Sequence, residues 1–150
     1  MIFVLHHGVT VADIDRAIDW YGAVLGTTVV HRQRQDNDYT RELLAVPGAV
    51  LEVAQLALPG RVDTRSTHDI ELIQYVSGDQ PADEALINRP GQSHLAFVVD
   101  DIDAVADRVI ASGGRLRNPP VTVSAGVHSG SRVCYLHDPD GNTVELLQRA

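Results

Sequence analysis

The stretch HHGVTVADIDRAIDWYGAVLG (6–26) returns later in the chain as HLAFVVDDIDAVADRVIASGG (94–114). A constant offset of 88 residues aligns the two and places His6 on His94. Each stretch opens with the alternation of a strand and continues with apolar residues at helical spacing. The chain is therefore predicted to contain a duplicated unit that starts with a strand and a helix.

Each predicted helix has a start signal and a stop signal. Asp13 and Asp101 precede the helical spacing and are predicted N-caps, because a carboxylate there accepts from free backbone N–H groups. Gly26 and Gly114 follow it and are predicted C-terminal stops. The predicted buried faces are Ile14, Ala17, Ile18, Tyr21 and Leu25 in the first helix, and Ile102, Val105, Ala106, Val109 and Ile110 in the second.

Three strand-like segments follow each helix. The pattern predicts an α+β fold of two βαβββ modules, approximately 1–78 and 92–150, within a single domain, 1–150. The segments are TVVHRQ (28–33), AVLEVAQLAL (49–58) and DIELIQYV (69–76) in the first half, and RLRNPPVTV (115–123), SRVCYLHD (131–138) and TVELLQ (143–148) in the second.

One histidine and one glutamate occupy equivalent places in each half. His6 and His94 are predicted to lie in the first strands, and Glu71 and Glu145 stand inside the similar strands IELIQ and VELLQ. If a pseudo-twofold axis relates the halves, the four side chains converge inside a curved sheet. Two buried carboxylates would repel each other and lose hydration, and a divalent cation removes that cost. Imidazole and carboxylate ligands suit Zn, Ni, Co, Mn or Fe(II).

Composition narrows the class of protein. The chain has 150 residues, 44% of them hydrophobic, and a net charge of −8. This acidic balance argues against nucleic acid and anionic membrane as partners. The apolar runs fall short of the roughly 18 residues that a membrane span needs. The start does not read as a signal peptide, and the single cysteine, Cys134, cannot form an internal disulfide, so a cytoplasmic location is expected.

The chain resembles a two-module member of the vicinal oxygen chelate superfamily, which includes glyoxalases, methylmalonyl-CoA epimerases, bleomycin-resistance proteins and extradiol dioxygenases. The resemblance rests on the two repeated stretches, on IELIQY (70–75) and on YLHDPDGNTVELLQ (135–148). It implies a cupped, eight-stranded mixed sheet with the helices outside, commonly assembled as a homodimer. It also implies that one divalent metal ion is bound by His6, Glu71, His94 and Glu145.

The first functional interpretation is a glyoxalase-like or epimerase-like lyase or isomerase. The metal would bind two vicinal oxygens of a small carbonyl or hydroxy-acid substrate, while a glutamate moves a proton beside the carbonyl. Glu145 and Glu71 are the predicted catalytic residues. Glu52 is a candidate second base, although an outward-facing strand position is the more ordinary interpretation of it.

Two alternatives remain. An extradiol-type Fe(II) dioxygenase would use His6, His94 and Glu145 as a facial triad. In that case the substrate pocket would contain His68, His128 and Tyr135. Glu71 counts against this interpretation, because as a ligand it would take a position that O2 or catecholate needs. A binding protein that sequesters a drug or metabolite is the third possibility.

Substrate specificity is predicted to lie outside the repeat. Segments there are expected to form the rim of a cavity, in which Arg61, Arg65 or Arg132 could meet an anionic group. These segments are 31–41, 59–69, 77–92 and 124–132.

Overall fold

Two mixed β-sheets, one in each half of the chain, carry the fold. The computed structural model describes residues 4–44, 48–61, 66–77 and 90–150. The chain divides into two compact units, Met1–Ala82 and Asp83–Ala150. Residues 62–65, which include Arg65, and residues 78–89 lie outside the described residues. They are parts of the predicted rim segments 59–69 and 77–92. Of the described helices, none is long and apolar enough to cross a membrane.

The first unit has a four-stranded sheet in the order β1-β4-β3-β2. Strand β1 runs parallel to β4, and the other neighbours are antiparallel. Parallel pairing of β1 with a strand some 60 residues later brings the chain start beside the glutamate strand. The elements are β1 (His7–Thr10), α1 (Ile14–Leu25), β2 (Thr28–Gln35), α2 (Asp38–Leu44), β3 (Leu51–Ala57) and β4 (Ile70–Tyr75).

The second unit repeats this topology. Its sheet has the order β5-β9-β8-β6, with β7 also paired to β8, and β5 is again parallel to β9. The elements are β5 (Leu95–Val98), α3 (Ile102–Ala111), β6 (Arg115–Leu116), β7 (Val121–Thr122), β8 (Arg132–His137) and β9 (Thr143–Gln148).

The α+β class and the repeated strand–helix–strands order are confirmed. RLRNPPVTV forms two short strands rather than one, because Pro119 and Pro120 have no N–H to give to the sheet. The described strands therefore number nine, one more than expected. The segment 31–41, which is predicted to lie at a rim, contains the end of β2, up to Gln35, and most of the first turn of α2, which begins at Asp38.

Both helices start as predicted. The Asp13 side chain accepts from the backbone N–H of Arg16, and that of Asp101 accepts from Ala104, each at 3.0 Å. Gly26 caps α1 with φ 73°. The predicted stop at Gly114 is wrong: α3 ends at Ala111, and the left-handed residue is Gly113, with φ 85°.

The buried helix faces differ slightly from the predicted ones. In α1 the buried residues are Ile14, Ala17, Trp20, Tyr21 and Val24, so the face is rotated away from Ile18 and Leu25. In α3 the prediction fails only at Ile110, which is 58% exposed. Trp20 and Tyr21 are the largest buried side chains of α1, and burial of both orients the helix so that their side of it faces the core.

A glutamine from each glutamate strand holds the start of a helix. The Gln74 side-chain oxygen accepts from the backbone N–H of Ile14 at 3.0 Å, and Gln148 accepts from Ile102 at 2.9 Å. These N–H groups have no partner within their helices, so each glutamine satisfies one. The repeated IELIQ and VELLQ strands thus share a structural glutamine as well as a glutamate.

Candidate functional site

Glu71 lies in the middle of the first sheet, between two small or polar neighbours. It pairs with Gly8 of β1 on one side and with Gln55 of β3 on the other. Its side chain is 19% exposed, and His6 Nε2 lies 3.6 Å from its Oε1 atom. His6 stands immediately before β1, which begins at His7. The prediction that His6 lies inside the strand is therefore wrong by one residue.

Glu145 has the same surroundings in the second sheet. It pairs with Ala96 of β5 and with Tyr135 of β8, and its side chain is also 19% exposed. His94 Nε2 lies 3.1 Å from Glu145 Oε2. His94, like His6, immediately precedes its strand rather than lying within it.

The two His–Glu pairs therefore occupy equivalent positions in the two units. In each unit the histidine stands two residues before the strand residue that pairs with the glutamate, Gly8 or Ala96. A Cβ atom at Gly8 would meet only Ile73 Cδ1, at 3.8 Å, so the alanine of the second unit fits equally well there. The repeat thus preserves both the residues and the register that brings them together.

A polar cross-strand neighbour lies beside each glutamate. Gln55 Nε2 donates to Glu71 Oε2 at 3.1 Å. Tyr135, at the equivalent position, lies beside Glu145 and meets the His94 ring edge-on, with ring centroids 5.3 Å apart. Burial raises the pKa of Tyr135, and the neighbouring Glu145 carboxylate raises it further, which favours the protonated phenol. Gln55 was not predicted from the sequence, although aligning β3 with β8 would have placed it beside Tyr135.

His68 joins the pair in the first unit. Its Nε2 atom lies 2.9 Å from His6 Nδ1 and 3.7 Å from Glu71 Oε2, and its side chain is 6% exposed. Burial lowers the pKa of His68, and the neighbouring His6 lowers it further, which favours a neutral imidazole. Ligand atoms of His6, His68 and Glu71 all lie within 4.8 Å of one another.

Both pairs have donor spacings that suit a metal ion. Two atoms bound at about 2.1 Å are about 3.0 Å apart at a right angle and about 3.4 Å apart at a tetrahedral angle. The observed separations are 3.1 Å for His94–Glu145 and 3.6 Å for His6–Glu71. Imidazole nitrogen and carboxylate oxygen are also the donors that divalent transition metals accept.

Glu52 and His128 are two further candidates from the sequence. Glu52 pairs across strands with Gln74, whereas Glu71 pairs with Gln55, so Glu52 faces the opposite side of the first sheet. Its carboxylate accepts from Arg34 at 2.9 Å. His128 is exposed in the segment before β8.

The described arginines predicted to meet an anionic substrate have carboxylate partners. Arg61 binds Asp69 at 3.1 Å and donates to the Ser66 carbonyl at 2.6 Å. Arg132 forms a two-pronged ion pair with Asp103, with one contact at 2.9 Å. Arg61 thereby fastens the segment that precedes β4, which is a structural role.

The chain is similar to known proteins in sequence and in fold. The chain is 32% identical over 150 residues to a 2-epi-5-epi-valiolone epimerase from Actinomyces sp, covering 97% of this chain and 79% of that protein. It is 32% identical over 147 residues to a lactoylglutathione lyase from Haemophilus influenzae, covering 97% and 91%. The crystal structure of a glyoxalase family protein from Bacillus cereus has the same fold, with a TM-score of 0.82, 22% identity, and coverage of 99% and 95%.

The family assignment rests on nearly the whole chain. The family model described as Glyoxalase/Bleomycin resistance protein/Dioxygenase superfamily matches residues 4–146, which include both His–Glu pairs. The chain belongs to the glyoxalase/bleomycin resistance protein/dioxygenase superfamily.

Proposed function

We propose that this chain is a metal-dependent lyase or isomerase that moves a proton beside the carbonyl of a small substrate with two vicinal oxygens. The observation that carries the proposal is the recurrence of one His–Glu pair, in one register, in both units. A carboxylate needed only for packing would have no reason to keep an imidazole beside it twice.

His6 with Glu71 and His94 with Glu145 are the proposed metal ligands. When bound, a divalent ion supplies Lewis-acid stabilisation of the charge that develops on the substrate oxygens as the proton leaves carbon. Zn, Ni, Co, Mn and Fe(II) all accept this donor set. Metal analysis tests the predicted four-residue ligand set, for which one ion per chain is expected. Two ions per chain would mean that each pair binds its own.

The glutamates are the proposed proton carriers. A carboxylate within reach of the substrate C–H group takes the proton and returns it to the same or the adjacent carbon. Gln55 donates a hydrogen bond to Glu71, and Tyr135 lies beside Glu145 at the equivalent cross-strand position. These contacts orient the carboxylates and leave the remaining lone pairs for the reaction.

The relatives support this reaction class. An epimerase inverts a carbon stereocentre, for which removal and return of a C–H proton is the direct route. Lactoylglutathione arises from the hemithioacetal of methylglyoxal and glutathione when a proton moves between adjacent carbons. Both the substrate of the epimerase and this hemithioacetal carry oxygens on two neighbouring carbons. We propose a substrate of this kind and, as the family resemblance implies, a homodimer, which sedimentation tests.

Hydrogen exchange at carbon provides the direct test. Metal-stripped protein is reloaded with each divalent ion and incubated in D2O with methylglyoxal plus glutathione, or with 2-epi-5-epi-valiolone. Proton NMR then follows deuterium incorporation and product formation. We expect metal-dependent turnover that Glu71→Gln and Glu145→Gln abolish. Exposed Asp15, which pairs with Arg32, supplies the control variant Asp15→Asn.

Two results would redirect the proposal. Uptake of O2 with catechols in the presence of Fe(II), surviving Glu71→Gln, would identify an extradiol-type dioxygenase. Tight binding of an unchanged ligand by metal-free protein would identify a sequestering protein.

A further inference from the structure

The first unit contains a second histidine that its repeat lacks. His68 approaches His6 with 2.9 Å between Nε2 and Nδ1, which is a hydrogen-bond distance. In the second unit, Asn142 stands three residues before Glu145, as His68 does before Glu71. The Asn142 amide donates to Asp138 at 2.9 Å, within the turn before β9. The contact between the histidines is therefore specific to the first pair.

The two rings can share this hydrogen bond in only two ways. A neutral imidazole has one N–H group and one lone pair, so either His6 Nδ1 or His68 Nε2 is the donor. If His68 donates, the proton of His6 must lie on Nε2, the atom that faces Glu71. If His6 donates from Nδ1, its Nε2 atom has a free lone pair.

The distance between His6 and Glu71 favours His6 as the donor. His6 Nε2 is 3.6 Å from Glu71 Oε1, too far for an N–H group there to form a good hydrogen bond. His68 Nδ1 is 3.3 Å from Thr67 Oγ1, a hydroxyl that can donate or accept and is therefore compatible with a proton on His68 Nδ1. The chain of contacts then runs from His6 Nδ1–H to His68 Nε2, and from His68 Nδ1–H to Thr67.

We propose that His68 is a positioning residue that sets the tautomer of His6, so that His6 presents the Nε2 lone pair on the side of Glu71. This inference rests on the proposed function, because that lone pair is the one a metal ion would use. Outer partners of this kind fix both the tautomer and the ring orientation of a ligand histidine.

The segment around His68 is held firmly enough for this role. Ser66 Oγ donates to the His68 carbonyl at 2.6 Å and accepts from its backbone N–H at 3.2 Å. On the other side, Asp69 accepts from the Leu58 N–H at 2.8 Å and pairs with Arg61. The His68 ring also stacks against His6, with centroids 4.9 Å apart. The backbone on both sides therefore fixes the acceptor that His6 meets.

Long-range proton–nitrogen NMR spectra of metal-free, nitrogen-15-labelled protein read the tautomer directly. The chain has seven histidines, and spectra of His6→Gln and His68→Gln assign the two signals. We expect the proton on Nδ1 of both His6 and His68. A proton on Nε2 of His6 would overturn the inference, whatever the enzymatic activity.

Zinc affinity, measured by competition with a chromogenic chelator, provides the second readout. His68→Gln supplies an amide oxygen that can still accept from His6 Nδ1, so it should retain most of the affinity. His68→Leu cannot accept, and we expect it to weaken binding by roughly 10–100-fold. Buried His137, whose Nδ1 contacts the Gly141 carbonyl, provides His137→Gln and His137→Leu as controls, which should change affinity little.

The variants also separate this role from the alternatives. Equal losses in His68→Gln and His68→Leu would overturn the inference and indicate that His68 is itself a metal ligand. No loss in His68→Leu would overturn it as well. A protein that binds none of Zn, Ni, Co, Mn and Fe(II) would contradict the proposed function, whereas the tautomer spectrum would still decide the role of His68.

Discussion

Replacing Glu71 by glutamine should remove the stabilisation that a bound metal ion gives to the folded chain. Only the folded state holds His6 Nε2 and Glu71 Oε1 3.6 Å apart, so the ion should bind it in preference to the unfolded state. At 100 times the dissociation constant, such a ligand stabilises the fold by about 2.7 kcal/mol. For a chain of this length, that corresponds to a rise in Tm of about 5–11 °C.

The loss in the variant follows from the same relation. Removing an anionic ligand should cost at least the upper end of the roughly 10–100-fold that losing an outer partner costs. At an unchanged metal concentration, the ion is then near its new dissociation constant, where it contributes only about 0.4 kcal/mol. We therefore expect the Tm of the Glu71→Gln variant to rise by only about 1 °C when metal is added.

Thermal unfolding followed by circular dichroism, with and without metal, measures both shifts. Glu145→Gln should behave like Glu71→Gln, and Asp15→Asn should behave like the unaltered chain. A full metal-induced shift in Glu71→Gln would refute the assignment of Glu71 as a ligand. Loss in Glu71→Gln with a full shift in Glu145→Gln would confine metal binding to the first unit, where His68 is the additional donor.

Three further predictions concern the fold. Gln148→Ala leaves the Ile102 N–H without its 2.9 Å acceptor and should lower the free energy of unfolding in urea by about 0.5–1.5 kcal/mol; no change would mean that water replaces the glutamine. Leu146→Ala, at a fully buried position of β9, should cost about 2–5 kcal/mol, whereas Val121→Ala, 49% exposed, should stay within about 0.5 kcal/mol. Burial lowers the pKa of His137, so its stabilising contribution is present above about pH 6.5, the unfolded value, and is lost as pH falls toward the folded pKa. Urea unfolding between pH 7.5 and 5 should therefore show a steeper decline for the unaltered chain than for His137→Gln; parallel curves would contradict this.

Much of the local structure follows from short-range pattern. Asp13 and Asp101 could be predicted as N-caps because each cap bond joins two residues that are only three positions apart in the sequence. The α3 stop failed by one residue, because two consecutive glycines, Gly113 and Gly114, can each supply a left-handed conformation. RLRNPPVTV forms two strands rather than the one predicted, because its two prolines have no N–H group for a continuous strand.

The sequence by itself determined that two similar halves each carry one histidine and one glutamate, because duplication is visible without any fold. Only the tertiary structure decided which side chains surround them. Gln55 and His68 reach Glu71 and His6 through the register of β3 with β4 and of β4 with β1, and periodicity within one segment contains no information about such register. The same registers placed Glu52 on the far face, opposite Gln74, where a strand pattern alone left it as a candidate base.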